Sequence, residues 1–197
     1  MAISFLELSN ELNKFAGHIE GTERGSIMIK MANEALILNR QRVQEKGQNA
    51  DGSAYKPYST KPMLAGRTGM TTSAYSSIAG SKDKRSGLNW ATVKGHKLFE
   101  IPGGYKQFRE LHGRQTGFVD FVFTGRMWNN IKLVSSQAEL NSGTAVIKPT
   151  EDLQKKKLAG NTERRGDILA LSKNEEQRLA DIYSAWIEGA LRKFKLI

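Results

Sequence analysis

Apolar residues return at helical spacing twice near the start of the chain. Phe5, Leu8, Leu12, Phe15 and Ile19 follow one another every three or four positions, which predicts an amphipathic helix. Ser4-Phe5-Leu6-Glu7 in front of them has the pattern of a capping box, in which the serine accepts from an orphan backbone N–H and the glutamate reaches back. Past a break at Gly21-Thr22, the residues Ile27, Met28, Met31, Ala35, Leu38 and Val43 resume the spacing. They predict a second, longer helix that ends at Lys46-Gly47, where a cation and a glycine suit a helix terminus.

From Gly47 to Gly117 the periodicity dissolves into GQNADGSAYKPYSTKP, LAGRTGMTTSAYSS and GSKDKRSG. Gly, Ser, Thr and Lys dominate, and the segment 47–117 is expected to be a loop-rich arm or insertion, with at most a short strand at Trp90–Lys94. Alternating β-branched and aromatic residues then predict antiparallel strands at Phe118–Phe123, Ile131–Ser135 and Thr144–Lys148, the last two separated by the turn signal Asn141-Ser142-Gly143. A second capping box, Ser172-Lys173-Asn174-Glu175, opens a run in which Leu179, Ile182, Tyr183, Trp186, Ala190, Leu191 and Phe194 form one apolar stripe. That run predicts a closing amphipathic helix. The expected fold is α+β: one domain over residues 1–197, with a small antiparallel sheet packed with the N-terminal helices and a C-terminal amphipathic helix, and a long basic loop-rich insertion.

Charge changes this picture mainly by its distribution. The chain carries a formal +10, and residues 47–118 alone hold 11 basic and 4 acidic groups, hence +7 of it. Residues 1–24 hold 2 basic and 4 acidic. A local positive excess fits either a solubilising surface or contact with a polyanion. The N-terminus lacks the basic start and apolar centre of a secretion signal, and no apolar run is long enough to span a bilayer. A soluble protein assembled in a cytoplasm is expected.

Candidate chemistry is sparse. With no cysteine, the chain has no disulfide framework, thiolate metal site or cysteine nucleophile. His18 and His112 have no histidine or carboxylate three or four positions on, and the one such group after His96 is Glu100. Pro149-Thr150-Glu151-Asp152-Leu153-Gln154-Lys155 only faintly matches the acidic-plus-lysine pattern of metal-dependent nucleases, since no third carboxylate is placed to join it. Gly66-Arg67-Thr68-Gly69 and Gly103-Gly104 lack the Gly-Lys-Ser/Thr ending of a phosphate loop and read as turns. Tyr55, Tyr58, Tyr75, Trp90 and Tyr105, interleaved with Lys and Arg, suit either stacking on bases or loop packing onto a neighbour. Lys155-Lys156-Lys157 reads as a solvated face. No enzyme activity and no cofactor are expected.

In Val122-Phe123-Thr124-Gly125-Arg126-Met127-Trp128-Asn129-Asn130-Ile131 the residues spell a corner. Thr124 can cap a short helical turn, Gly125 allows the change of direction, and Met127 and Ile131 return to the core four residues apart. This segment, together with Asn49-Ala50-Asp51-Gly52-Ser53-Ala54-Tyr55-Lys56-Pro57-Tyr58 and Arg165-Gly166-Asp167-Ile168-Leu169-Ala170-Leu171-Ser172, resembles in order the virion-morphogenesis or tail-completion proteins of tailed bacteriophages. Those proteins carry an Asn-x-x-Gly-x-x-Trp-x-Pro-Leu loop after the second helix, a Thr-Gly-x-Leu/Met-x-x-Ser-Ile turn after a strand, and an Arg-Pro-Phe-Leu-Gly-Leu-Ser entry to the last helix. Tyr105–Arg114 and Val119-Asp120-Phe121 are similar to a lead-in found in some branches. Tyr55 stands in place of the usual tryptophan, Arg165-Gly166-Asp167 in place of Arg-Pro-Phe, and a Tyr-Ala-x-x-His-x-x-Gly element common in that family has no counterpart.

The resemblance implies a structural virion protein, assembled in the host cytoplasm and located at the head–tail junction. It implies a ring of identical copies, a hexamer in the family, that meets head-connector and tail-tube proteins and lets DNA pass. Trp128 and Asn129, with Tyr55 and Tyr58, are the expected partner or oligomer contacts, and Lys82, Lys84 and Arg85 are the expected cluster facing DNA or a docking protein. The competing expectation is a basic nucleic-acid-binding protein of the ribosome- or nucleoid-associated type. That class should present a groove-fitting helix with clustered cations, whereas the last helix mixes signs along its polar face.

Overall fold

The apolar stripes become helices, of which α2 buries Ile27, Ala32 and Ala35 while Leu12 of α1 stands 49% exposed. The structure, a computed structural model, describes residues 5–20, 22–66, 90–93, 96–139 and 142–197. In chain order its elements are α1 (Phe5–Glu20), α2 (Thr22–Arg40) continued by a π-helical turn at Gln41–Glu45, β1 (Met63–Ala65), β2 (Trp90–Val93), β3 (His96–Ile101), α3 (Gly104–Leu111), α4 (Arg126–Asn130), β4 (Ile131–Glu139), β5 (Ser142–Pro149), α5 (Asp152–Arg165) and α6 (Lys173–Lys193). The fold is α+β, with both sheets antiparallel.

The chain divides into two compact units, Met1–Ser53 with Thr124–Ile197 and, between them, Ala54–Phe123. The expectation was one domain with a loop-rich arm over 47–117; the described part of that segment carries three strands and a helix. In the described part of the arm, β1, β3 and β2 form a three-stranded sheet in that order, with Met63 opposite Ile101 and Trp90 opposite Phe99. Ala65 and Ile101 make its buried core, with Met63, Phe108 and Leu111 packed against them. Strands of three, four and six residues are too short to show a period, and β1 pairs with a strand more than thirty positions on. Helix α3 starts tight against the loop before β1. A Cβ on Gly104, at φ +63°, would lie 2.3 Å from the Lys61 carbonyl oxygen, and the Lys106 N–H donates to the Ser59 carbonyl at 3.0 Å.

In the first unit, α2 lies on the β4–β5 hairpin and against α6. Its core holds Ile27, Ala32, Ala35, Val43, Met127, Trp128, Ile131, Ile168 and Ala190, all buried. The hairpin is longer than expected and carries an irregularity: Leu133 pairs with Ile147 but Ser135 with Val146. Val134 is the extra, unpaired residue of a bulge and stands 45% exposed. At the head of α6 the capping box is present, with the Ser172 side chain accepting from Glu175 N–H and the Glu175 side chain from Ser172 N–H. Ser4, the expected cap of α1, lies outside the described residues.

Two local expectations are corrected, and a helix is found where none was expected. Phe118–Phe123 forms no strand, and Phe121 sits at φ +54°, a left-handed conformation that interrupts any ladder. Thr124 does not cap α4. That position belongs to Gly125 at φ +75°, and the Thr124 hydroxyl is 3.5 Å from the Arg126 N–H, too long for a strong bond. Helix α5 was not expected because its sequence is polar all round. Leu153 points outward, 59% exposed, while Gln154 is buried, and the helix draws support from Asp152 in its first turn and Arg164 and Arg165 in its last. Gly125→Ala, which adds no close contact beyond a 3.7 Å approach to the Asn129 side chain, is expected to cost about 1–2 kcal/mol for the left-handed backbone alone. A denaturant titration reads it, and a neutral result would mean that the corner can be rebuilt with negative φ.

Candidate functional site: the end of helix α2 and the segments it holds

Three functional side chains, Asn39, Arg40 and Arg42, leave the chain where α2 gives way to a π-helical turn at Gln41–Glu45. Asn39 is 2% exposed, and its amide nitrogen donates to the carbonyls of Ile168 at 2.9 Å and Ala170 at 3.3 Å. Arg40 donates through one terminal nitrogen to the carbonyls of Trp128 and Ile131, where the last turn of α4 leaves its carbonyl end open. Arg42 is buried. Its Nε donates to Glu175 at 2.8 Å, and its terminal nitrogens donate to the carbonyls of Gln48 at 2.8 Å and Ala170 at 2.6 Å.

Glu175 therefore serves two purposes. One carboxylate oxygen takes the Arg42 guanidinium and the other takes the Ser172 N–H that opens α6. Asn130, the last residue of α4, accepts the N–H groups of Thr150 and Glu151 at 2.8 Å each through one side-chain oxygen, which ties the corner to the start of α5. Gly166, at φ +89°, lies against the Asn49 side chain. The segments 124–131 and 165–172 are thus joined by the end of one helix, which also holds the Gln48 carbonyl just before the 49–58 loop. All of these groups hold backbone in place, and none pairs a nucleophile with a base.

The second unit has a buried polar cluster of its own. Arg109 is 1% exposed and donates to both Asp120 carboxylate oxygens at 3.0 and 3.1 Å, to the Gln115 carbonyl at 3.0 Å and to the Val122 carbonyl at 2.9 Å. The Tyr58 hydroxyl donates to Asp120 at 2.8 Å and accepts the Asp120 N–H, and its ring lies 4.4 Å from the guanidinium carbon. Burial, then the bond to the Asp120 carboxylate, push the Tyr58 hydroxyl well above the usual tyrosine range. Gln115 bonds to both the N–H and the carbonyl of Phe118, and Asp120 accepts from Val122 N–H. Alternate residues 118, 120 and 122 would offer one edge of a strand. Here that edge is satisfied by side chains, which is why an apolar, strand-like sequence folds irregularly.

The expected partner contacts are redistributed. Trp128 is 2% exposed, Tyr55 5% and Tyr58 6%, so these three belong to the interior of their own units; Tyr55 meets the Phe121 ring edge-on at 4.9 Å. Asn129 is exposed. Met127 and Ile131 are buried beneath the corner. Lys82, Lys84 and Arg85 lie outside the described residues. Lys155, Lys156 and Lys157 are exposed, and Lys155 pairs with Asp152 one turn back at 2.8 Å.

Sequence reasoning missed Asn39, Arg40, Arg42 and Arg109. Polar residues in or beside apolar helical stripes were the only signal. Asp120 in the middle of an apolar run was the clearest pointer to a buried ion pair. Among the described residues no group of three or more histidine or acidic side chains could hold a metal ion, and no helix is long and apolar enough to cross a membrane. The chain matches no protein-family model, no curated protein and no solved structure.

Proposed function

We propose that the chain is a structural virion protein of a tailed bacteriophage, a neck or tail-completion component. In this reading copies of it form a ring at the head–tail junction, between head-connector and tail-tube proteins, and DNA passes through. The observation that supports the reading is the convergence at the end of α2: Asn39, Arg40 and Arg42 bond to the segments 124–131 and 165–172, two of the three motifs that carry the resemblance, and to Gln48 beside the third. The charge distribution agrees with passage of a polyanion, because the unit Ala54–Phe123 carries 11 basic and 4 acidic residues, or +7, and the rest of the chain 19 and 16, or +3.

The test is location. Particles assembled with a tagged copy of the chain are expected to show it as a ring at the junction by cryo-microscopy, in a constant number of copies by mass spectrometry. Absence from mature particles would leave an assembly factor instead. Salt-sensitive binding of duplex DNA by a protein that never enters particles would favour the nucleic-acid-binding alternative.

A further inference from the structure

Helix α2 leaves one side uncovered. Ile29 is 42% and Ile37 50% exposed, with exposed Asn33 one turn from each. On the adjoining strand β4 the bulge turns out Val134, 45% exposed. On the same two elements lies an open cleft of about 520 Å³, lined by Asn33, Leu36, Arg40, Asn129, Lys132 and Leu133 together with the buried Ile131. Convergent polar groups set among apolar side chains mark an interaction site.

Among the described residues the polar groups of the cleft are two amides and two cations, with no carboxylate. Arg40 gives one terminal nitrogen to backbone carbonyls, but its buried Nε has no hydrogen-bond partner among the described residues. Among the described residues neither Arg40 nor Lys132 is paired with an acid. A complementary surface must therefore be apolar and carry carboxylates. A row of phosphates fits poorly, because one exposed lysine and one half-buried arginine set among leucine and isoleucine make no track of cations.

The chain itself supplies a matching surface. Residues 1–24 hold 2 basic and 4 acidic groups, against 28 and 16 in the remainder. Within them lies α1, where Leu12 is 49% exposed. Its neighbour Glu11 bonds to Lys14 on the same helix, an interaction that solvent-exposed partners exchange at little cost. We infer that α1 of a second copy lies over the cleft between α2 and β4, with Leu12 on its apolar floor and Glu11 turned toward Lys132 and Arg40. This is an amphipathic helix seated in a groove. Because α1 and the cleft are different surfaces of one chain, the contact repeats head to tail, which generates a closed ring when the rotation closes. The inference rests on the ring reading for that closure.

Charge exchange tests the contact. The full chain is expected to self-associate in sedimentation velocity, and more strongly at low salt. Lys132→Glu and Glu11→Lys should each weaken association at least about tenfold by setting like charges together, and the double variant Lys132→Glu/Glu11→Lys should recover most of it. Melting curves of the three variants should match that of the native chain, since both side chains are partly or fully in solvent. The inference is overturned if the native chain stays monomeric, if the single variants associate like it, if the double variant recovers nothing, or if Lys132→Glu impairs duplex-DNA binding while self-association persists. Rings in particles together with unaffected charge variants would remove this contact and leave the ring reading standing. Rescue by the double variant in a protein absent from particles would do the reverse.

Discussion

Arg109→Ala is expected to lower the stability of the chain by about 3–5 kcal/mol, read as a fall in the midpoint of a denaturant titration. The guanidinium and the Asp120 carboxylate are 1% and 9% exposed at the side chain and 3.0 Å apart. Removing one of them leaves a buried charge without its counterion. The loss also strips the Gln115 and Val122 carbonyls of their donors and takes the cation from the face of Tyr58. Lysine should not rescue the variant, because a single ammonium cannot reproduce a fork that serves Asp120 on one side and two carbonyls on the others. A loss below about 1 kcal/mol, the size for a solvent-exposed pair, would show that the cluster is open to water in solution.

Trp128→Ala is expected to cost a similar amount, about 3–5 kcal/mol, because an indole that is 2% exposed would leave a cavity beneath the corner. Asn129→Ala, one position on and exposed, should change stability by less than about 0.5 kcal/mol. The pair separates interior from interface. If Trp128→Ala melted like the native chain yet failed to assemble, the tryptophan would be a partner contact after all, and its burial would have to be given up. If Asn129→Ala melted normally and assembled poorly, the exposed side of the corner would be assigned to a neighbour, consistent with its place on the rim of the α2–β4 cleft.

Some of this architecture was legible because it is local. The two N-terminal helices, the Ser172–Glu175 box and the stripe along α6 are written in the spacing of near neighbours, and the structure has each of them. Other features were misread where local preference lost to distant partners. Phe118–Phe123 has the composition of a strand, but Gln115, Arg109 and Tyr58 occupy the hydrogen-bonding groups on one of its edges. Asp152–Arg165 has no apolar stripe and still forms a helix, whose buried contact is a glutamine rather than its neighbouring leucine. The aromatics of the 49–58 loop looked available for a partner, yet Tyr55 and Tyr58 are already engaged by Phe121, Asp120 and Arg109.

By itself the sequence determined the long amphipathic helices, the hairpin that follows the corner, the need for a glycine at position 125 and the location of the positive excess. These depend on spacing, capping and composition, which act over a few neighbouring residues. Only the tertiary structure decided that Trp128 points inward, that the middle of the chain folds as a unit with its own sheet, and that Arg42 meets Glu175 across 133 positions. Burial and ion pairing are properties of surfaces brought together from distant parts of the chain. A single sequence marks a charged residue without marking the partner that permits its burial.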